Sequence, residues 1–431
     1  MTAEKFVIMG GYPLAGTFRP AGNKNAALPL LAACLLSASP IILHNVPLIQ
    51  DVLAMRRLLE SLGTIVTDLA PNTWQLITPE IISETPDFRV CQQIRASILL
   101  AGPVCARYGR LQIPPPGGDV IGRRRLDTHL LALQALGVRF SFKENLFYFE
   151  SAATGLHGAD ILLDEASVTA TENAITAAVL AQGTTILRNA ASEPHVQELC
   201  WLLNAMGAQI RGIGSNVLEI TGVGSLHGAE FTIGPDYLEV VSFAAAAAIT
   251  GGSLLIENAG VEHLAMVGMG MRKLGLNWEV RGHDLWIPPQ QTLQIVPDFG
   301  NAIPKIEDAP WPGFPADLLS IAIVVATQAE GTILFHEKMY ESRLFFTDKL
   351  VGMGARIVLC DPHRCLIQGK TVLNGERLDS PDIRAGMALL IASLAAKGKS
   401  TIRNIRQIDR GYQQVDVKLR ALGAHIERLP D

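Results

Sequence analysis

Six times along the chain a leucine or methionine is followed by glycine: Leu62-Gly63, Leu136-Gly137, Met206-Gly207, Leu274-Gly275, Met353-Gly354 and Leu422-Gly423. Successive glycines stand 68–79 residues apart, 72 on average, so six like units account for essentially all 431 residues. Any fold for this chain must be built from six similar pieces. Before each glycine the pattern predicts an amphipathic helix. Val52, Met55, Leu58, Leu59 and Leu62 share one face, as do Val196, Leu199, Leu203 and Met206. The glycine then supplies the left-handed conformation that ends the helix. Strands are expected at Pro40–Val46, Gly183–Asn189, Gly252–Asn258, Gly331–His336 and Ser400–Ile405. A strand–helix unit of this size is too large for a solenoid repeat and half a typical domain. Two domains of three units each follow, with the cleft they leave as the expected ligand site. Six loosely similar segments in one large sheet would satisfy the same spacing.

Composition narrows the class. At 48% hydrophobic and 18% charged residues the chain is not a disordered one. A net charge of −5 lacks the footprint of a general nucleic-acid binder, although a local basic pocket fits within it. The six cysteines include no CxxC pair, and Cys360, His363 and Cys365 lack the spacing of a zinc site, so reduced thiols and no metal are expected. Met1 to Gly11 lacks the basic-then-apolar order of a signal peptide. The most apolar run, Ala26 to Leu43, is broken by Pro29, Ser37, Ser39 and Pro40 and reads as a buried helix running into a strand rather than a membrane span. A cytoplasmic protein without membrane attachment is the expectation.

One loop is chemically dense. From Pro114 to Arg125 it holds three prolines, three glycines, Asp119 and the run Arg123-Arg124-Arg125. Guanidinium forks match phosphate and carboxylate oxygens, and a solvated surface loop would have the same composition. Other cations stand beside helix starts or turns: Lys24, Arg95, Arg343, Arg384 and Arg410. Each alone reads equally as a salt-bridge partner, and Asp317 alone reads most simply as a helix cap. The residues by themselves lead to a two-domain α/β protein that binds an anionic small molecule.

Taken in order, these motifs resemble the enolpyruvyl transferases, and most closely the UDP-N-acetylglucosamine 1-carboxyvinyltransferase family. The resemblance begins at Ala21-Gly22-Asn23-Lys24-Asn25 and passes through Arg95-Ala96-Ser97, the loop Pro116 to His129, and Ser167-Val168-Thr169-Ala170-Thr171. It ends with Phe314-Pro315-Ala316-Asp317, Glu341-Ser342-Arg343, Asp382-Ile383-Arg384 and Asp409-Arg410-Gly411-Tyr412. It implies an α/β fold, a two-domain inside-out α/β barrel of six βαβαββ repeats, three per domain. One domain would span 22–232 and carry a mobile loop at 114–125; the other would combine 1–21 with 233–431, with hinges near Gly22 and Gly234.

The implied reaction joins phosphoenolpyruvate to a sugar hydroxyl with loss of phosphate, the first committed step of peptidoglycan synthesis and so of cell-wall growth and division. No cofactor is implied, and the partners are small molecules, phosphoenolpyruvate and UDP-N-acetylglucosamine. By carry-over Lys24, Asn25, Arg95, Arg124, Arg343, Arg384 and Arg410 hold phosphoenolpyruvate, with Lys24 and Arg410 close to the chemistry. Asp317 takes the proton of the 3-hydroxyl. Asn25, Arg95, Arg124, Asp127, His129, Ser167, Val168, Thr169, Asp317 and Met339 contact the UDP-sugar. Asp119 stands where most of the family has a cysteine, which is the target of the epoxide fosfomycin, so resistance to that alkylation is expected. Aspartate there serves as a general acid only when protonated. Two departures bear on the acceptor: Glu165 replaces a lysine near the diphosphate, and Leu99 an aromatic. A different nucleotide or sugar acceptor, or a non-catalytic nucleotide-sugar-binding regulator, are the alternatives.

Overall fold

The computed structural model of the chain describes residues 4–119, 121–122 and 124–431; Met1–Ala3, Val120 and Arg123 lie outside the described residues, Arg123 of the arginine run among them. The chain divides into two compact units. The first comprises the chain start to Ala21, Ile121 and Gly122, and Pro235–Asp431; the second comprises Gly22–Asp119 and Arg124–Gly234. The tip of the arginine loop therefore groups with the first unit, and its two limbs with the second.

In the first unit three helices, Tyr237–Ile249, Ala316–Gln328 and Ile383–Ala395, pack on one another. They are apolar nearly all round, which demands burial on every side. The alanine run Ala244–Ala248 in the first of them is wholly buried and lets the backbones approach closely. Three four-stranded mixed sheets cover these helices. In each, the strand that precedes the buried helix within the unit pairs parallel with the strand that follows it, as Lys305–Glu307 does with Gly331–His336. Right-handed crossover connections make this pairing the favoured one. The first strands of the chain complete this unit. Glu4–Met9 lies between Lys399–Arg403 and His425–Pro430, and Ala15–Phe18 runs parallel to Ser253–Ile256.

The second unit repeats the plan with one lapse. Two of its sheets have four strands, closed by the parallel pairs Ala229–Thr232 with Ile41–His44 and Asp160–Leu162 with Thr184–Arg188. The third, built of Arg110–Ile113, Leu146–Ser151 and Val138–Lys143, has only three, all antiparallel. Its buried helix is also irregular, a 3-10 turn Arg95–Leu100 running into Ala101–Arg107. This is the repeat that carries Arg95 and the arginine loop. Each unit is thus an inside-out α/β barrel, helices within and sheets outside, and the two have separate hydrophobic cores.

The six glycines of the repeat all take positive φ, from 77° to 108°, each closing its helix as expected. The five expected strands form within two residues at each end of the predicted spans. The apolar run becomes the buried helix Lys24–Ala33, a 3-10 turn and the strand Ile41–His44. A repeat-level feature escaped the pattern. Asn45, Asn189 and Asn404, each just past a strand, adopt positive φ and donate their side-chain amides to Ile233, Leu163 and Ser380 carbonyls. Asparagine tolerates this conformation because its short side chain hydrogen-bonds locally. No helix among the described residues is long and apolar enough to cross a membrane.

Candidate active site

The candidate residues collect in two sets, one in each unit. In the first unit Asp317 sits in the first turn of Ala316–Gln328. Pro315 is the N-cap there and no side chain caps the helix, so Asp317 is not the capping residue that its position alone suggests. Its carboxylate is committed elsewhere. Oδ1 accepts from Arg343 Nη2 at 3.0 Å and Oδ2 from Arg384 Nε at 3.0 Å. Both guanidiniums are only 5% exposed. A buried cation of this kind persists only when paired, and the carboxylates around these two hold both arginines above their ordinary pKa against the opposing effect of burial.

Each arginine is oriented by a second contact. Arg384 begins a helix whose N-cap, Asp382, accepts from the Arg384 and Ala385 amides. Its Nη1 donates to Tyr412 Oη at 3.2 Å, and that hydroxyl lies 3.2 Å from Ser242 Oγ. Arg343 stacks over Tyr340 and faces Glu337, with Nε 3.7 Å from Glu337 Oε2. Arg410 follows the short helix Arg406–Asp409 and donates to Gln407 Oε1 at 2.9 Å. Its neighbour Asp409 is gripped by both Nη atoms of Arg428 at 2.9 and 2.8 Å. Met339 is 37% exposed, with its amide turned inward onto Asp308 and Glu337.

In the second unit the stretch Asn23-Lys24-Asn25 starts a helix. Asn23 is the N-cap, its Oδ1 accepting from the amides of Asn25 and Ala26. Capping of this kind satisfies donors that a helix start leaves open. Pro29, inside the helix, has no N–H to give the Asn25 carbonyl four residues back. Lys24 is buried, and its Nζ lies 2.8 Å from Asp51 Oδ2 on the helix Gln50–Ser61. Arg95 Nη2 donates to the carbonyls of Arg124 and Arg125 at 2.8 and 3.0 Å. Gly118 nestles between them: a Cβ there would lie 3.0 Å from Arg95 Cβ and 3.5 Å from Arg124 Nη1, and its φ is +104°. Only glycine permits that approach, and the half-buried Asp119 is the next residue.

Arg125, the exposed end of the run, pairs with Asp127 at 3.1 Å and faces Asp164 and Glu165. Glu165, the acid where a lysine was expected, thus has an arginine in its own unit to face. His129 is 1% exposed. Asn173 Oδ1 accepts from Gly102 N, so its amide nitrogen donates to Ile98 O and to His129 Nδ1 at 2.9 Å. The proton of the imidazole is then on Nε2, which donates to Thr169 Oγ1 at 3.0 Å. Burial first, and the charge of Arg95 second, push the His129 pKa down to about 3. The ring is therefore neutral with both nitrogens used, and it holds Thr169. Ser167 caps the helix Val168–Ala178, placing Val168 and Thr169 in its first turn, where amide N–H groups favour anions.

The structure therefore brings Asp317, Arg343 and Arg384 together, and separately Arg95, Arg124 and Gly118. Sequence reasoning missed Asp51, Asn173, Asp308 and Glu337. Asp51 carried a faint signal as a first-turn acid ahead of an amphipathic stretch; the others carried none.

Comparison with known proteins agrees with the geometry. Residues 8–419 match the model of the family described as EPSP synthase (3-phosphoshikimate 1-carboxyvinyltransferase). The UDP-N-acetylglucosamine 1-carboxyvinyltransferase of Treponema denticola is 54% identical over 424 residues, 98% of this chain and 99% of the relative. That of Bradyrhizobium diazoefficiens is 53% identical over 431 residues, 100% of this chain and 99% of the relative. Among solved structures, the enolpyruvyl transferase NikO from Streptomyces tendae superposes with a TM-score of 0.88 over 100% of both chains at 23% identity. The EPSP synthase of Acinetobacter baumannii superposes with a TM-score of 0.76, at 18% identity, over 99% of this chain and 100% of that one. Likeness at this identity speaks for the fold.

Proposed function

The chain belongs to the EPSP synthase family of enolpyruvyl transferases, and on that premise we propose how its residues divide one reaction. It transfers the carboxyvinyl group of phosphoenolpyruvate to the 3-hydroxyl of UDP-N-acetylglucosamine and releases phosphate, the first committed step of peptidoglycan synthesis. The observation that carries the assignment of roles is Asp317 held between two buried arginines.

The hydroxyl oxygen bonds to the substituted alkene carbon while its proton leaves and the terminal carbon gains one. Loss of a proton from that terminal carbon then expels phosphate. A base, an acid and cations for phosphate and carboxylate are needed. Asp317 accepts the hydroxyl proton through the lone pairs that its two arginine contacts leave open. Arg343 and Arg384 hold it in place and, with Arg410, Lys24, Arg95 and Arg124, balance the anionic substrate. Preorganised cations of this kind cost no reorganisation during the reaction. Asp119 delivers a proton in the addition or to the departing phosphate, as a carboxylic acid. Asn25, Asp127, Ser167, Val168, Thr169 and Met339 contact the UDP-sugar, and His129 positions Thr169. The compartment is the cytoplasm, which fractionation against a cytoplasmic marker enzyme checks.

Phosphate release from phosphoenolpyruvate, measured with and without UDP-N-acetylglucosamine, tests the reading. Release should require the acceptor and fall about 10²–10⁴-fold in Asp119→Asn, the usual range for losing a general acid. Undiminished release in that variant would remove Asp119 from the chemistry.

A further inference from the structure

Behind Arg343 lies a pair of carboxyl groups to which the transfer assigns no step. Asp308 and Glu337 are both 0% exposed. Asp308 follows the strand Lys305–Glu307, and Glu337 follows the parallel strand Gly331–His336. Together they bind three successive amides. Asp308 accepts from Lys338 N and Met339 N, and Glu337 Oε1 from Met339 N at 3.2 Å and Tyr340 N at 3.1 Å. One N–H, that of Met339, is shared between the two carboxyl groups, which puts an oxygen of each within 3.3 Å of the same nitrogen.

Two full negative charges buried around one N–H repel strongly, and one group keeps a proton. A second observation says which. Glu337 Oε2 and Arg343 Nε are buried and 3.7 Å apart, beyond hydrogen-bond range. A charged Glu337 would draw a buried guanidinium into a full bond at that range. Instead Arg343 bonds to Asp317, as it would beside a neutral carboxyl group. Burial first and Asp308 next raise the Glu337 pKa well above the ordinary range, which agrees.

We propose that Asp308 and Glu337 share a single proton and act as positioning residues, clamping the amides of Lys338–Tyr340 so that Arg343 is presented to Asp317 rather than to Glu337. The remaining charged or titratable neighbours fit this division. Asp317, Asp382 and Tyr340 surround Arg343. His363 donates from Nδ1 to the Glu337 carbonyl at 2.7 Å and so fixes the backbone and not the carboxyl group. The kinetic consequence rests on the role of Asp317 proposed above.

Glu337→Gln and Glu337→Ala separate the possibilities. Glutamine keeps an oxygen for the amides of Met339 and Tyr340 and an N–H for Asp308, so it mimics the protonated acid. It should retain kcat and both KM values within about threefold, while alanine lowers kcat by about 10²-fold, the usual cost of a catalytic group displaced by about 1 Å, with smaller changes in KM. Infrared spectra above neutral pH should show the carbonyl band of a buried carboxylic acid in wild type and its loss in Glu337→Gln. Equal damage in both variants would mean that a charge on Glu337 is required and would overturn the shared proton; so would absence of the band. A Glu337→Ala enzyme within threefold of wild type would overturn the positioning role. Lack of turnover with UDP-N-acetylglucosamine in wild type would instead defeat the acceptor assignment, and the infrared band would still decide the proton.

Discussion

The two units solve the problem of holding cations in different ways. In the first, Arg343 and Arg384 are buried and bonded to the carboxylate of Asp317, one on each oxygen. Asp317 and Arg384 stand in the first turns of the helices Ala316–Gln328 and Ile383–Ala395, and Arg343 opens a short 3-10 turn. In the second, Arg95 donates from Nη2 to two carbonyls of the arginine loop, and Arg125 lies exposed among Asp127, Asp164 and Glu165. Arg95 and Arg125 belong to the repeat whose sheet, among the described residues, has three strands and whose helix begins as a 3-10 turn. The difference teaches where each unit puts its precision. The first holds a preformed ionic cluster; the second holds a loop in shape, with glycine at the point of closest approach. Departure of one repeat from the common plan at a functional segment is what consistency of the other five makes visible.

The largest break in this contrast should come from Asp317. Asp317→Asn should lower kcat about 10²–10⁴-fold, as loss of a general base does. It should also cost up to about 3 kcal/mol in stability, because two buried guanidiniums lose their common anion while the part-exposed carboxylate limits the penalty; turnover and chemical denaturation check the two effects. The second unit offers the buried pair Lys24–Asp51 to compare. Asp51→Ala removes the carboxylate 2.8 Å from the buried Lys24 ammonium and should cost about 3 kcal/mol, whereas Lys24→Met with Asp51→Leu should recover most of the stability without activity; thermal melts read this double replacement.

A pH series sharpens the comparison with smaller effects of opposite sign. His129, in the second unit, is neutral when folded. Its contribution is full above about pH 6.5 and is lost as pH falls toward about 3. The pKa of Glu337, in the first, is pushed up to about 9 by burial and then by Asp308. Its contribution is full below about pH 4.5 and is lost as pH rises toward about 9. Each slope is at most about 1.4 kcal/mol per pH unit. His129→Asn should therefore flatten the acid limb of stability against pH and Glu337→Gln the alkaline limb. Glu172 of the second unit, raised by burial and by Glu193, adds to the alkaline limb and is untouched by either variant. The smallest structural change is Asp119→Cys. The wild-type protein should form no covalent adduct with fosfomycin, and this variant should gain one, read by intact mass.

Much of the scaffold was legible from local chemistry. Glycines such as Gly63 and Gly423 end helices because their own φ is positive, a property of the residue and its immediate turn. The strand Gly331–His336 forms over the residues its turn chemistry and apolar content predict. The site was less so. Asp317 reads as a cap in isolation, and only the approach of Arg343 and Arg384, 26 and 67 residues away, makes it the centre of an ionic cluster. The hydrogen bond of His129 Nδ1 with Asn173, 44 residues on, is likewise invisible in the sequence.

Six repeats, the α/β class, the capping glycines and the identity of the charged residues follow from the sequence by itself, because period and turn chemistry act over a few neighbouring residues. Which carboxyl group is charged, which arginine faces which acid, and which imidazole nitrogen carries the proton were decided only by the tertiary structure. Those properties depend on burial and on partners within about 4 Å, where lowered dielectric makes electrostatic interactions strong, and such partners are brought together only when the repeats pack.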